Sequence, residues 1–329
     1  MNEDPLALLP EALLLVGAVA VLLTGSFLPR GSQWVTRLLA ALVALAAFVA
    51  SLAVAGHPAR TVYDGLWAVD GPVTGARLVV LPAVLLTICL AVPSVSGAKR
   101  ESEFYVLLLL AALGALALAG ANDLLVLAVA YLLASIPLYA LAGFARDRSG
   151  TEAALKLYLL GAFLGIAMLL GVTLLFGVGG ATGYGDLELG LRTAPTAPVA
   201  LGVVALLAGL MFKAGGVPGH FWVPDVAQGA RTPAAAFTTT VPKVGGLIAA
   251  YRVLSAVPVQ TVDWPLVVGV LAALSMTLGN LAAFTQTSPR RLLGWSTVSQ
   301  AGYLLMRSPS RDAPSWPCRA CCCISRRTP

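Results

Sequence analysis

Lys213 and Lys243 lie within stretches of the chain that are otherwise apolar enough for a lipid bilayer. A cation near the centre of a bilayer costs at least ~2.5–3.5 kcal/mol on insertion scales, so a chain that keeps two is expected to use them, most simply in an ion or proton path. A lysine relays protons when desolvation brings its charged and neutral forms into balance. From 213 to 243 the sequence reads KAGGVPGHFWVPDVAQGARTPAAAFTTTVPK, in which Gly215, Gly216, Pro218, Gly219, Pro224, Gly229 and Pro233 interrupt any continuous helix. Irregular backbone at membrane depth is tolerated only where it is buried in protein or lines a wet cavity, because freed amides find no partner in lipid. A broken helix over a hydrated path fits this pattern. A loop between two spans is the alternative, stronger for residues 224–232 than for 214–222.

His220 follows the Gly-Pro break, and an imidazole titrating near neutrality is suited to pass protons between the lysines. A loop histidine bonding the broken backbone is the equal alternative. Lys156, in ALKLYLLGAF, is either a third station or a side chain that snorkels to the interface. Asp225 is expected to cap the next helical turn. Thr238, Thr239, Thr240, Ser296, Thr297, Ser299 and Gln300 either hold water or bond helix to helix. Glu11, about one turn inside the first span, is expected to snorkel.

The elements that must position these groups follow from composition. Of the 329 residues 58% are hydrophobic and 11% charged, and mean hydropathy is +0.87, which leaves too little polar surface for a soluble globule. The expected fold is an all-α, polytopic transmembrane bundle. Stretches of roughly 20 apolar residues recur at about 6–28, 35–55, 75–93, 103–120, 123–143, 153–177, 198–214, 233–255, 264–285 and 292–306. Asn2, Glu3 and Asp4 precede the first of these where a signal peptide would be positive, so it is expected to be a retained helix.

Alternating the connectors puts Arg30, Arg37, Lys99, Arg100, Arg146, Arg148, Arg231, Arg290 and Arg291 on one side. Arg60, Arg77, Arg192 and Arg252 fall on the other, with Asp64, Asp70, Asp123, Asp186, Glu188 and Asp263. The positive-inside rule makes the first side cytoplasmic and places the N-terminus outside a cell membrane. The net charge of +6 is dispersed among connectors without a basic face carrying interleaved aromatics, so no nucleic-acid partner is expected.

Enzyme signatures are sparse. The Gly-rich GVGGATGYG at 177–185 follows a membrane helix rather than a strand, which makes it a connector and not a dinucleotide cradle. Two histidines far apart in sequence do not suit a haem or a His-rich metal site. Cys89 is expected to pack as a small hydrophobe. After Met306 the character changes: RSPSRDAPSWPCRACCCISRRTP holds five Arg, four Pro and four Cys. Cys318 and Cys321 have a C-x-x-C spacing, but Cys322 and Cys323 adjoin Cys321 and no histidine is near, a poor arrangement for one tetrahedral zinc. Palmitoylation of these cysteines is a further alternative. A shifted reading frame or premature end is expected there.

Four blocks carry a family resemblance: NDLLVLAVAYLLASIPLYALAGF (122–144), TEAALKLYLLGAF (151–163), FK…VPGHFWVPDV…GARTP…PK (212–243) and GNLAAF…RRLLGWSTVSQAGYLL (279–305). Together they resemble the antiporter-like membrane subunits of respiratory complex I, the subunit N type of NADH-quinone oxidoreductase. The resemblance implies an antiporter-like fold with inverted repeats of five helices. On that plan residues 1–95 hold three N-terminal helices and 96–256 a five-helix repeat with a broken helix near 214–232. Residues 257–306 begin a second repeat, which is incomplete, and 307–329 form an aberrant tail.

The resemblance also implies a proton-translocating path in which Lys213 and Lys243 match the family's lysines and His220 and Asp225 its HFW-PD segment. No cofactor is expected in this chain; NADH, FMN, iron–sulfur clusters and quinone belong to partner subunits. Other membrane subunits of the complex and the lipid bilayer are the expected partners. The family carries an acidic residue in its fifth span at the position of Leu132, so Lys213 is expected to be unpaired here. A cation/proton antiporter subunit and an inactive structural paralogue are the alternative readings.

Overall fold

Each place where the sequence turns apolar for about five turns becomes a helix in the computed structural model, which describes residues 4–98 and 100–306. Asn2, Glu3, Lys99 and the tail with Cys318, Cys321, Cys322 and Cys323 lie outside the described residues. The long helices are α1 (Leu9–Phe27), α2 (Trp34–Val54), α3 (Gly71–Val95), α4 (Glu101–Gly120), α5 (Leu124–Ala142) and α6 (Arg148–Gly179). After the short α7 (Tyr184–Leu191) come α8 (Thr196–Ala214), the short α9 (Trp222–Gly229), α10 (Thr232–Ser255), α11 (Trp264–Phe284) and α12 (Pro289–Leu305). Eight of them are long and apolar enough to cross a membrane; α10 and α12 are more polar or shorter and pack against these. The chain is a multi-pass membrane protein.

Acidic residues start the helices. Asp70, Asp123, Asp147 and Asp263 each accept a backbone N–H in the first turn of α3, α5, α6 and α11, at 2.7–3.1 Å. These caps satisfy amides that lipid cannot and put negative charge at the positive end of each helix dipole. Asp147 also explains why α6 begins earlier than hydropathy alone suggests. One element had no sequence expectation: a hairpin of β1 (Arg60–Val62) and β2 (Trp67–Val69), whose turn takes positive φ at Tyr63, Asp64 and Gly65.

The core is organised around α4, which packs against α1, α3, α5 and α10. Small residues permit the approach. A Cβ on Gly114 would lie 2.4 Å from the backbone nitrogen of Ala134 in α5, and one on Gly245 of α10 would lie 2.3 Å from Ala115 O in α4. Where the area gained by burial in lipid is small, such close backbone contact supplies the packing between helices.

Connectors that alternate in sequence meet at opposite ends of the bundle. At one end Arg231 donates to Ser94 O, Arg37 to Ser96 Oγ and Arg290 to Thr232 Oγ1. At the other Asn122 donates to Gly65 O, Leu124 N to Thr182 O, and Arg252 pairs with Asp70. The first end is the arginine-rich one of the sequence reading.

Three expectations need correction. Glu11 does not snorkel, and Arg77 is not a connector residue. Glu11 is 5% exposed and Arg77 0%, and the two form a bidentate pair, Nε to Oε1 at 2.8 Å and Nη2 to Oε2 at 2.7 Å. Pairing across α1 and α3 costs less than carrying either charge alone in an apolar bundle. Cys89 is exposed on α3 rather than packed inside.

Candidate functional site

Lys213 occupies the last turn of α8, which ends because Gly215 takes the left-handed conformation at φ 66°. The amides of Gly215 and Gly216 bond back to Phe212 O and Met211 O, closing the helix. The chain then turns through residues 215–221 and resumes as α9. The freed groups of the break are met from outside it. Val217 N donates to Ser275 Oγ of α11 at 2.9 Å, and Trp222 Nε1 donates to Phe212 O at 3.1 Å. Residues 222–229 are helical and pack Trp222, Val223, Pro224 and Val226 inside, which is not the character of a surface loop.

The break brings the two lysines to the same place. A Cβ on Gly246 of α10 would lie 2.9 Å from Lys213 Cβ, so the Lys213 stem crosses α10 one turn from Lys243. A Cβ on Gly215 would lie 3.5 Å from Lys243 Nζ, so the Lys243 head reaches the break itself. Lys243 Nζ donates to the Thr297 carbonyl of α12. Lys213 is 2% exposed and Lys243 7%. Among the described residues no carboxylate lies within ion-pairing distance of either.

The turn, α10 and α12 also carry buried polar atoms without partners. His220, buried in the turn, packs against Phe221 with ring centroids 4.2 Å apart and against Trp295 of α12 at 5.5 Å with the rings tilted, and its Nδ1 has no hydrogen-bond partner. Thr238 Oγ1, Trp295 Nε1 and Ser299 Oγ are likewise buried and unpartnered. Buried polar atoms in proteins are normally satisfied by protein or by water. Thr238 and Lys213 share a cavity of about 10 Å³ with Tyr139, Leu157, Phe212 and Trp222, roughly the room one water needs. Thr239 and Thr240 instead bond back to Ala235 O and Ala236 O of their own helix. Gln300 is exposed.

Lys156 stands apart. Its side chain is 45% exposed at the arginine-rich end, paired with Glu152 at 2.7 Å and Asp225 at 3.1 Å. Asp225 also pairs with Arg291 at 2.7 Å, and it joins α6, α9 and α12 by side chains rather than capping a turn as expected. Lys156 and Arg291, at the arginine-rich end, each engage one of its oxygens. At the opposite end a cleft of about 280 Å³ is lined by Asp70, Asn122, Tyr184, Glu188, Tyr251 and Arg252. Among the described residues no three His, Cys, Asp or Glu side chains converge as metal ligands.

The transmembrane family described as NADH:quinone oxidoreductase/Mrp antiporter matches residues 121–314, more than half of the chain and all of the lysine site. The chain belongs to this family. It is 54% identical over 307 residues to NADH-quinone oxidoreductase subunit N 1 of Streptomyces griseus, covering 93% of this chain and 65% of that protein. To NADH-quinone oxidoreductase subunit N of Mycobacterium sp. (strain JLS) it is 48% identical over 302 residues, 92% of this chain and 64% of the relative. The chain thus spans just under two thirds of the length of these curated relatives.

A solved chain in respiratory complex I from Thermus thermophilus with bound aureothin superposes with a TM-score of 0.78 at 37% identity, covering 91% of this chain and 64% of that one. The fold is also that of a chain in the membrane-bound sulfane sulfur reductase, an archaeal respiratory membrane complex, with a TM-score of 0.81 at 22% identity and 93% and 65% covered. The resemblance drawn from the four sequence blocks, and the all-α antiporter-like bundle it implied, are borne out.

Within this NADH:quinone oxidoreductase/Mrp antiporter family member, three groups at the site escaped the sequence reading. Tyr131 of α5 lies against Lys213, with Nζ 4.9 Å from its ring centroid. Ser275 of α11 holds the break, and the Thr297 carbonyl holds Lys243. None has a local signature, since each acts across helices far apart in sequence. Leu132, where the resemblance led to the expectation of a missing acidic residue, is 48% exposed and points away from the packed interior.

Proposed function

We propose that this chain is a proton-translocating membrane subunit of an NADH-quinone oxidoreductase, a part of a translocase that performs no redox chemistry itself. The observation that carries the reading is the burial of two amines, Lys213 and Lys243, on either side of one helix break. A buried lysine exchanges a proton without leaving its place, and the unpartnered His220 Nδ1, Thr238 Oγ1 and Ser299 Oγ support a hydrated route between the two. His220 connects the lysines in this scheme. Lys156, with Glu152 and Asp225, collects protons at the arginine-rich surface. The electron-transfer cofactors, NADH, FMN, iron–sulfur clusters and quinone, reside in partner subunits, and other membrane subunits of the complex flank this one in the bilayer. The arginine-rich end faces the cytoplasm of a cell membrane, which puts the N-terminus outside, by the positive-inside rule.

The test is NADH-driven proton uptake by inverted vesicles that contain the assembled complex. Lys213→Met and Lys243→Met should each lower the protons moved per NADH oxidised while the subunit still assembles. Unchanged stoichiometry in both would refute the relay and leave an inactive structural subunit, the reading favoured by the lack of a carboxylate beside Lys213. The matched family also includes antiporter subunits. Exchange driven by an imposed sodium or pH gradient, with no response to NADH, would identify that activity instead.

A further inference from the structure

An ammonium buried without a carboxylate must have its charge met by something else in the bundle. Lys213 Nζ lies 4.9 Å from the ring centroid of Tyr131 and 5.7 Å from that of Phe212. Both distances are within the ~6 Å over which the negative face of an aromatic ring attracts a cation. Phe212 is the neighbour of Lys213 in sequence and comes with it. Tyr131 comes from another helix and is held deliberately.

Two glycines four residues apart on α6 make the seat for it. A Cβ on Gly165 would lie 3.0 Å from Tyr131 Cε1, and one on Gly161 would lie 2.0 Å from Tyr139 Oη and 2.8 Å from Phe212 Cζ. Any side chain at 161 or 165 would therefore displace the aromatic wall. The Tyr131 hydroxyl donates to Gly161 O at 3.3 Å, which fixes the ring edge and leaves its face to the amine. The residue is 2% exposed.

We propose that the face of the Tyr131 ring, in place of a carboxylate, stabilises the protonated form of Lys213 and so sets the pH range over which that lysine works. Tyr131 is a positioning residue, and the inference rests on the relay reading of Lys213 given above. The titratable and charged groups on the elements packed against α8 are Tyr131 and Tyr139 of α5, Arg148, Glu152, Lys156 and Tyr158 of α6, His220 and Asp225 of the broken segment, and Lys243, Tyr251 and Arg252 of α10. The carboxylates among them, Glu152 and Asp225, are engaged by Lys156 and Arg291. Arg252 is engaged by Asp70 at the opposite end.

The experiment measures NADH-driven proton uptake against pH in inverted vesicles carrying the assembled complex. Position 131 holds Tyr, Phe, mono-, di- or trifluoro-Phe, or Met, with Lys213→Met alongside. Fluorination drains the ring face without changing its shape, so folding is preserved across the series. Tyr131→Phe should keep the wild-type alkaline limb. Successive fluorines, and Tyr131→Met, should move that limb to lower pH, by roughly 0.5–1.5 pH units at the extreme. If the limb stays fixed across the fluorine series while Lys213→Met still lowers uptake, the ring has no such role and the relay stands. A shift in Tyr131→Phe equal to that in Tyr131→Met would assign the effect to the hydroxyl and overturn the proposal. Wild-type uptake in Lys213→Met would overturn both.

Discussion

Replacing Glu11 by Leu should unfold the N-terminal part of the bundle far more readily than replacing both Glu11 and Arg77. The guanidinium of Arg77 is fully buried and gives two charge-assisted hydrogen bonds to Glu11, at 2.8 and 2.7 Å, and one to Ala7 O at 2.9 Å. At ~1.5–3 kcal/mol for each charge-assisted bond, losing the two to the carboxylate comes to about 3–6 kcal/mol, in line with the ~3–5 kcal/mol for breaking a buried ion pair from one side. In Glu11→Leu the remaining cation has one carbonyl and no counter-charge. Arg77→Leu should cost about as much by stranding the carboxylate. The double leucine variant removes both charges and also the burial of Arg77 Nη1, which has no partner in the wild type. It should fall within about 1 kcal/mol of wild type or exceed it, because well-packed apolar pairs commonly equal buried ion pairs. Reversible unfolding of the purified subunit in mixed micelles, followed by helical circular dichroism against detergent composition, gives the three free energies. A single-variant loss below about 1 kcal/mol, or a double variant as unstable as the two singles combined, would refute the argument that the pair is held by mutual dependence.

Ser275→Ala should strand the amide of Val217 inside the bundle and cost about 1–3 kcal/mol in the same assay, with Lys243 accessibility to amine-reactive reagents rising as the break loosens. Asp225→Asn should change stability by no more than about 1 kcal/mol, because Lys156 and Arg291 are both partly exposed, and the difference should shrink further in high salt; a large, salt-independent loss would show that α6, α9 and α12 depend on this carboxylate.

The helices were legible because hydropathy reports lipid contact and packing together. All ten long helices fall where apolar runs were expected, and the break between α8 and α9 falls where Gly and Pro cluster. Single charges were not legible. Glu11 and Arg77 stand 66 positions apart, and a reading along the chain assigns each to its nearest interface, whereas the bundle brings them together inside. The same limit hid Tyr131. Its relation to Lys213 depends on the rotation of α5 about its axis, fixed by Gly161 and Gly165 on α6, and near-uniform Leu and Ala content carries no phase from which to infer rotation. The hairpin at residues 60–69 has strands of three residues each, too short to register beside the helices it joins.

The break at Gly215 is over-determined, and that bears on which part of the site can move. Its amides are bonded to Phe212 O, Met211 O and Ser275 Oγ, its aromatic flank is tied by Trp222 to Phe212 O, and Gly219 sits so close to Phe212 that a Cβ would meet the backbone at 2.5 Å. A backbone hinge there would have to release several buried hydrogen bonds at once, each leaving a group that costs about 1–3 kcal/mol. The lysine side chains carry no such restraint in common. Lys243 has one carbonyl partner, and Lys213 has ring faces only. In the proposed relay, reversible change at this site therefore belongs to the amine heads, over a fixed frame supplied by α8, α9, α10, α11 and α12. That division places the discontinuity of the helix in the role of making room, braced by α8 and α9 themselves and by Ser275 reaching in from α11.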